Sequence, residues 1–566
     1  MWLKKDASCS IEEVIERNTQ MNINDFLNPS TDYKIVNLEK FAEVVKKSIA
    51  NKTKITIYGD YDCDGITSSA ILYLLLTYLG AKDIDVILPK RFSEGYGLSM
   101  ASINRINEGL LITVDNGIAA IDEIKAAKDK GLTVLVLDHH LIREDGLIPE
   151  ADVIVNPNAL LGGDFSKYCG AGLAFKLAQL LTDNSNVLDR LETLAAIGTV
   201  ADVMELVGDN RNIVKKGLEL LNSGKTVVGL KALIEELGLY YITETDFGFK
   251  FGPIINAAGR IYDDGAMMAF ELLISNDFAE AKEKARKLID INEERKRVVE
   301  AGMETCRKLI ADRCLYGESP LVIYTTKEDE RQGLDVLHEG VVGVLAGRLV
   351  EENKCPVVVL TETSEGILKG SGRSYGDVHL KDLLDKTSEH ILKYGGHAGA
   401  AGLSVSCDKI EDFIYALQNA MTNVKVAEQC DDRYYDLEIT SGEVRDVAEK
   451  LRQYAPFGNG NPPITFLVKN TILTPKNGKT CNLMGAKCEH IKLFCNGFDV
   501  VAFGMAEAYR DLDEPVVIDV LGNVSENHFN EKVSIQVEAS NIRPGEAKPK
   551  TGLAASLAEL MSKNGL

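Results

Sequence analysis

Carboxylates recur in four short clusters: Asp60, Asp62 and Asp64 between Tyr58 and Gly65, then Asp115, then Asp138 with His139 and His140, then Asp202. The first three each follow an apolar run of strand length. Gathered at one site they would repel, since two unit charges about 4 Å apart cost about 4 kcal/mol even at an effective dielectric near 20. Cations resolve that repulsion, and oxygen ligands joined by an imidazole suit a hard divalent metal such as manganese or magnesium. The chemistry implied is metal-assisted attack on an anionic substrate. Cys63 lies between two of these carboxylates, and alternation along an extended segment would turn it away from them into the packing.

The elements that must position these groups alternate between strand and helix. Residues 54–58 form a strand, 66–79 a buried helix stopped by Gly80, and 84–88 the next strand. Residues 110–114 end at Asp115, a helix follows over 118–130, and 133–137 end at Asp138; 153–155 precede Asn156-Pro157. This order predicts a parallel sheet with helices on both faces, whose ligand crevice lies beyond the carboxyl ends of the strands. Asp202 falls within 191–206, read as a helix passing the same edge. An amphipathic helix is expected over 38–50. From about 209 to 313 the chain is mainly helical, interrupted at 247–265. A second α/β unit begins at 321–324, with a helix over 341–350 and a strand over 356–360, and runs to about 423. From about 431 short strands dominate (465–468, 491–495, 500–503 and 516–521), as in a small barrel of the OB type.

The 566 residues suffice for three or four domains, with 45% hydrophobic and 26% charged residues. The longest apolar stretch, 70–79, is too short to span a bilayer, and residues 1–6 lack a signal peptide's apolar core, so the cytoplasm is the expected compartment. Eleven scattered cysteines read as reduced thiols. Cys481, Cys488 and Cys495 with His490 do not have the spacing of a usual zinc knuckle. The net charge of −22 argues against broad adhesion to nucleic acid, so any polyanion must be gripped by local basic groups. Gly395, Gly396 and Gly399 would let backbone N–H groups approach a phosphate, with His397 as a side-chain donor. Phe457, Phe466, Phe494 and Phe503 in the β-rich part read as core, and no base-stacking residue is assigned.

The segments Tyr58 to Ser68, Val114 to Gly117, Leu137 to His140 and Val200 to Val203 together resemble the DHH phosphoesterase superfamily. Gly395-Gly-His-Ala-Gly-Ala-Ala-Gly402 resembles the signature of its DHH-associated domain. Five further segments are similar to the single-stranded-DNA-specific 5′→3′ exonuclease branch: 89–98, 255–260, 340–343, 370–374 and 455–462. The resemblance spans about residues 35 to 540.

It implies an N-terminal segment (1–50), a parallel-sheet α/β DHH catalytic domain (51–208) and a helical connector (209–318). A smaller α/β DHH-associated substrate-binding domain (319–425), an OB-like β-barrel for nucleic acid (431–545) and a tail (546–566) would follow. It further implies two divalent cations, Mn2+ or Mg2+, with Asp62 on one, Asp64 on the other, Asp115 bridging, and His139 and Asp202 completing the set. Asp60, Asp138 and His140 would orient ligands or meet the phosphate, His140 also as a proton donor. Arg260, Ser371 and Arg373 would clamp a 5′-terminal phosphate, with Gly395, Gly396 and His397 nearby. Many superfamily members carry a histidine four residues before the position of Asp62; here it is Tyr58. The expected activity is degradation of single-stranded DNA to 5′-mononucleotides in DNA repair and recombination, by a monomer, with single-strand binding protein and a helicase as partners. The alternatives are a phosphodiesterase on oligoribonucleotides or cyclic dinucleotides, a non-catalytic replication scaffold, and an inorganic pyrophosphatase.

Overall fold

Five short apolar strands lie side by side in the order Ile84–Ile87, Ile55–Tyr58, Leu110–Val114, Thr133–Leu137 and Val153–Val155, all parallel. The computed structural model describes residues 1–545 apart from 96, 144, 161, 423, 425–431, 486, 530 and 531. The expected tail at 546–566 therefore lies outside the described residues. Strands Ile55–Tyr58 and Leu110–Val114 are buried along their whole length, as a sheet covered on both faces requires. One face, with Ile57, Ile112 and Leu135, packs against the helices Cys63–Tyr78, Gly170–Leu181 and Ser185–Ala201. The other, with Tyr58, Leu111 and Val134, packs against Met100–Arg105 and Ile121–Asp129.

The first helix after the sheet starts at Cys63, three residues before the expected 66, because the Asp62 side chain caps its N-terminus. The acidic turn is thus already helical at Asp64. Cys63 is buried by facing the core, not by alternation along an extended segment. The expected interruption at 247–265 is a π-helical turn, Phe247–Phe251, running directly into the helix Gly252–Ile261.

One 35-residue helix, Phe278–Asp312, carries the chain to the second lobe. Its first half buries Ala281, Ala285 and Leu288 in the core of the first lobe, and its second half buries Val299, Met303 and Cys306 in the next core. At about 1.5 Å per residue it is a strut roughly 50 Å long. The second lobe holds a mixed sheet in the order Lys393–Gly396, Ala400–Ser406, Ile367–Arg373, Val357–Glu362, Leu321–Thr325.

The C-terminal unit is a seven-stranded sheet from Leu437–Thr440 at one end to Cys481–Met484 at the other. The end strand Leu437–Thr440 buries Ile439, and Leu493 on the strand next to the other end enters the same core with Cys481 packed against it, so the sheet curls around it like a barrel. Among the described residues no ladder joins the two end strands. The first 50 residues are shared between two cores. Trp2–Lys4 pairs in parallel with Arg433–Tyr435, and Ile11, Val14, Ile15 and Phe26 enter the C-terminal core, whereas Leu38 and Phe41 enter the first lobe. Asp436, fully buried, is held there by Lys5 at 3.0 Å and Arg17 at 2.5 Å.

Arg211 fastens these units together. It is buried, lies over the Phe26 ring at 4.2 Å, and donates to the carbonyls of Tyr454 (3.0 Å) and Gln453 (2.9 Å). Burial lowers its pKa to about 10. Substituting Arg211→Met would leave two carbonyls without their donor, which costs about 2–4 kcal/mol. The midpoint of urea unfolding is expected to fall accordingly, and an unchanged midpoint would refute this role.

Candidate active site

The three strand ends deliver the first acidic clusters to one edge, and the helix Ser185–Ala201 delivers Asp202 as its C-cap residue. The expected helix through 206 stops earlier. Side-chain atoms of Asp60, Asp62 and Asp115 lie within 4.8 Å of one another, as do those of Asp64, His139 and Asp202, and those of Asp115, His139 and His140. His139 Nε2 joins the groups, 3.0 Å from Asp115 Oδ1, 3.6 Å from Asp202 Oδ2 and 3.8 Å from Asp64 Oδ2. All five residues expected as metal ligands thus converge. Asp60, expected outside that set, stands among them with an oxygen of its own.

The carboxylates fall into two kinds. Asp62 Oδ1 accepts from the N–H groups of Asp64 (3.0 Å) and Gly65 (3.1 Å). Asp64 accepts from Gly170 N (2.6 Å) and Ala171 N (2.8 Å), at the N-terminus of Gly170–Leu181, where the helix dipole favours negative charge. Asp138 is surrounded by the N–H groups of Ile118, His139 and His140 and by His140 Nδ1 at 2.8 Å. It organises the turn. By contrast, Asp60 Oδ1, Asp115 Oδ1, Asp202 Oδ2 and His139 Nε2 are buried without a hydrogen-bond partner. Buried polar atoms are rarely left so, and an orphaned set of three carboxylate oxygens and one imidazole nitrogen fits divalent cations.

The electrostatics agree. Burial first, then neighbouring carboxylates, pushes Asp60 and Asp115 well above the ordinary range and Asp202 up to about 8. Burial opposes the charge on His140, yet its bond to Asp138 and the surrounding carboxylates bring it up to about 9. Burial also dominates at His139, whose pKa is lowered, as a neutral ligand requires. Tyr58, at the position of the missing histidine, turns away and donates to Gly97 O at 3.0 Å.

Several residues essential to this packing carried no chemical signal in the sequence. A Cβ on Gly170 would stand 2.6 Å from Asp115 Cβ, and one on Gly198 would stand 2.9 Å from Asp64 Oδ1. Asn156 and Asn158 donate to the carbonyls of His140 and His139. Asn156-Pro157-Asn158 follows a strand at the same edge, a signal that was readable.

Ser371 and Arg373 lie together on Ile367–Arg373 of the second lobe, whereas Arg260 stands on Gly252–Ile261, a helix packed in the first lobe, where its carbonyl meets Gly340. Arg373 Nη1 donates to Ser371 Oγ at 2.6 Å. A Cβ on Gly343 would stand 3.1 Å from Arg373 Nη2, and one on Gly340 would overlap the Arg260 carbonyl, so these two glycines permit the approach. Burial, then the charges of Arg91 and Arg295, lowers Arg260 to about 10, while Asp62 acts on it from the metal side. Arg91 lies over the Tyr61 ring at 4.6 Å, and Phe92 meets His338 edge-on at 5.8 Å, closing the same seam.

Gly395, Gly396 and His397 lie on the exposed rim two strands beyond, since Gly396 pairs with Ala401 and Ala400 with Arg373. The amides of His397 and Gly399 are spent within the turn, on Ala400 O (2.9 Å) and His397 Nδ1 (3.2 Å). This corrects the expectation that the Gly399 amide serves a phosphate. With Nδ1 accepting, Nε2 is the ring position of His397 left to donate. In the C-terminal unit Phe466 and Phe494 are core, whereas Phe503 is exposed.

Three family descriptions match the chain: the DHH family N-terminal domain over residues 54–199, the DHHA1 domain over 332–423 and the RecJ OB domain over 435–541. It is 34% identical over 531 residues to the single-stranded-DNA-specific exonuclease RecJ of Haemophilus influenzae, covering 87% of each chain. To that of Escherichia coli it is 31% identical over 553 residues, 90% of each. The crystal structure of RecJ with Mn2+ from Thermus thermophilus superposes with a TM-score of 0.76 at 27% identity, covering 94% of this chain and 76% of that one. The same organism's RecJ with Mg2+ gives a TM-score of 0.70 at 26% identity, over 94% and 74%.

Because folding raises the Asp202 pKa to about 8, the metal-free fold holds protons that the unfolded chain releases. Its stability therefore falls as pH rises from about 4 toward 8. Saturating Mn2+ is expected to raise the melting temperature by more at pH 8 than at pH 6, and Asp115→Asn to raise that of the metal-free protein while shrinking the Mn2+ response. Scanning fluorimetry checks both; no Mn2+ response at pH 8 would exclude a cation site.

Proposed function

The chain belongs to the RecJ family of single-stranded-DNA-specific exonucleases, and on that premise we propose a divalent-metal-dependent enzyme that degrades single-stranded DNA 5′→3′ to 5′-mononucleotides. The observation that carries this reading is the seam itself. Orphaned carboxylates and an imidazole stand on one side of it and the half-buried Arg260 and Arg373 on the other, in a chain of net charge −22. A phosphodiester complements both sides.

Asp60, Asp62 and Asp115 would hold one cation and Asp64, His139 and Asp202 the other, with Asp115 and His139 closest to the shared boundary. Two such ions, Mn2+ or Mg2+, supply charge neutralisation and an activated water for in-line displacement at phosphorus. The protein's own groups do the rest. Asp138 keeps His140 oriented and protonated, so that its imidazolium hydrogen-bonds a phosphate oxygen or gives up a proton to it. Arg260, Arg373 and Ser371 clamp the 5′-terminal phosphate, and Gly395, Gly396 and His397 receive the strand beside them. Gripping the 5′ end sets the distance to the scissile bond, which fixes a one-nucleotide product.

In this reading residues 51–208 are the catalytic domain, 209–318 the connector, 319–425 the substrate-binding domain and 431–545 the single-strand guide. Among the described residues no helix is long and apolar enough to cross a membrane. The setting is cytoplasmic DNA repair and recombination, with single-strand binding protein and a helicase supplying substrate to a monomer.

With Mn2+ and a labelled single strand, duplex and dinucleotide, mononucleotides should leave the 5′ end of the single strand alone; preference for the dinucleotide would overturn the assignment. Asp64→Asn should lower the rate by about 100-fold or more. Arg373→Ala should lower kcat/KM by about 10-fold on 5′-phosphorylated strands and far less on 5′-hydroxyl strands. Equal losses on both would remove the clamp role.

A further inference from the structure

The helix carrying Asp202 ends in an unusual way. Met204 N bonds to Thr199 O at 3.0 Å and Val203 N to Val200 O at 3.1 Å, the double return bond of a helix stop that ordinarily places glycine at the left-handed position. Here that position is Val203, at φ +56° and 65% exposed. A β-branched residue resists this conformation, so something outside the helix must hold the turn.

That support comes from the C-terminal unit, from the segment Ala455 to Pro462 whose role the site leaves unexplained. Asn459 Nδ2 donates to Val203 O at 2.7 Å, and Leu206 N donates to Asn459 O at 2.7 Å. Its neighbours are small because the two backbones touch: a Cβ on Gly458 would stand 2.8 Å from Leu206 Cδ1, and one on Gly460, at φ +73°, 2.8 Å from Glu205 Cβ. The loop is anchored independently, through Arg211 on Gln453 and Tyr454, through Phe457 N on Glu244 Oε1 at 2.9 Å, and internally through Asn461 on Tyr454 O and Pro456 O.

We propose that Asn459 is a positioning residue of the metal centre: by clamping the Val203 carbonyl it holds the strained turn that aims the Asp202 carboxylate at its cation. The C-terminal unit thereby sets the affinity of a site to which it contributes no ligand. The proposal rests on reading Asp202 as a ligand, and the experiment separates the two. Mn2+ binding to the full-length protein is titrated by the electron paramagnetic resonance of the free ion, for the parent, Asp202→Asn, Asn459→Ala, and Asn459→Ala with Val203→Gly. The expected result is that Asn459→Ala weakens the weaker Mn2+ site by about 10-fold without changing the melting temperature of the metal-free protein. Val203→Gly, which takes the left-handed turn without strain, should restore that affinity in the double variant, as no general repair of damage would. Parent-like Mn2+ binding by Asn459→Ala, or a loss that Val203→Gly leaves in place, would overturn the positioning role while Asp202→Asn still weakens binding. If Asp202→Asn also binds like the parent, the ligand reading falls and this one with it.

Discussion

Everything in this molecule is arranged around holding like charges together out of water. Desolvation and mutual repulsion both act against Asp60, Asp62, Asp115 and Asp202. Part of that cost is met by backbone N–H groups: the helix start capped by Asp62 and the helix N-terminus aimed at Asp64. The rest is left unmet, because the orphaned atoms all face one another and not the protein. A fold that satisfied them internally would be more stable and would have no use for a cation.

The same constraint explains the glycines. Gly170 and Gly198 let two helices approach the carboxylates closely enough for their amides and side chains to serve them, while Gly340 admits the Arg260 carbonyl and Gly343 leaves room for the Arg373 guanidinium. Burial acts against the charge of both Arg260 and Arg373, and Arg91 and Arg295 add to it at Arg260, which is unfavourable alone and favourable once a phosphate lies beside them. Overall acidity and local basicity are therefore compatible: a net charge of −22 disfavours diffuse adhesion to nucleic acid, while a few arginines can still grip one phosphate.

Residues that act through local periodicity are legible in the amino-acid order itself. Strand ends at Tyr58, Val114 and Leu137 follow from apolar runs broken by aspartate, and the parallel order places their carboxylates on one edge. What escapes are features set by distant contacts. Asp202 is identifiable, but not the helix stop at Ala201, because the bond that holds the turn comes from Asn459, 256 residues away in sequence. Cys63 is rightly placed in packing for the wrong reason, since a side-chain cap at Asp62 has already begun the helix. The spent amides of the Gly396–Gly399 turn depend on cross-strand pairing that composition does not encode.

The pairing of Trp2–Lys4 with Arg433–Tyr435, and of Glu12 with the Tyr454 hydroxyl, has a consequence for biosynthesis. At roughly 5–20 residues per second, the first helices leave the ribosome roughly 20–80 s before the strands they pack against. The opening segment must therefore wait, unpaired, while the catalytic lobe folds behind it. Until residue 459 has emerged the Val203 carbonyl lacks its Asn459 donor, so that contact forms only after the catalytic lobe has been made.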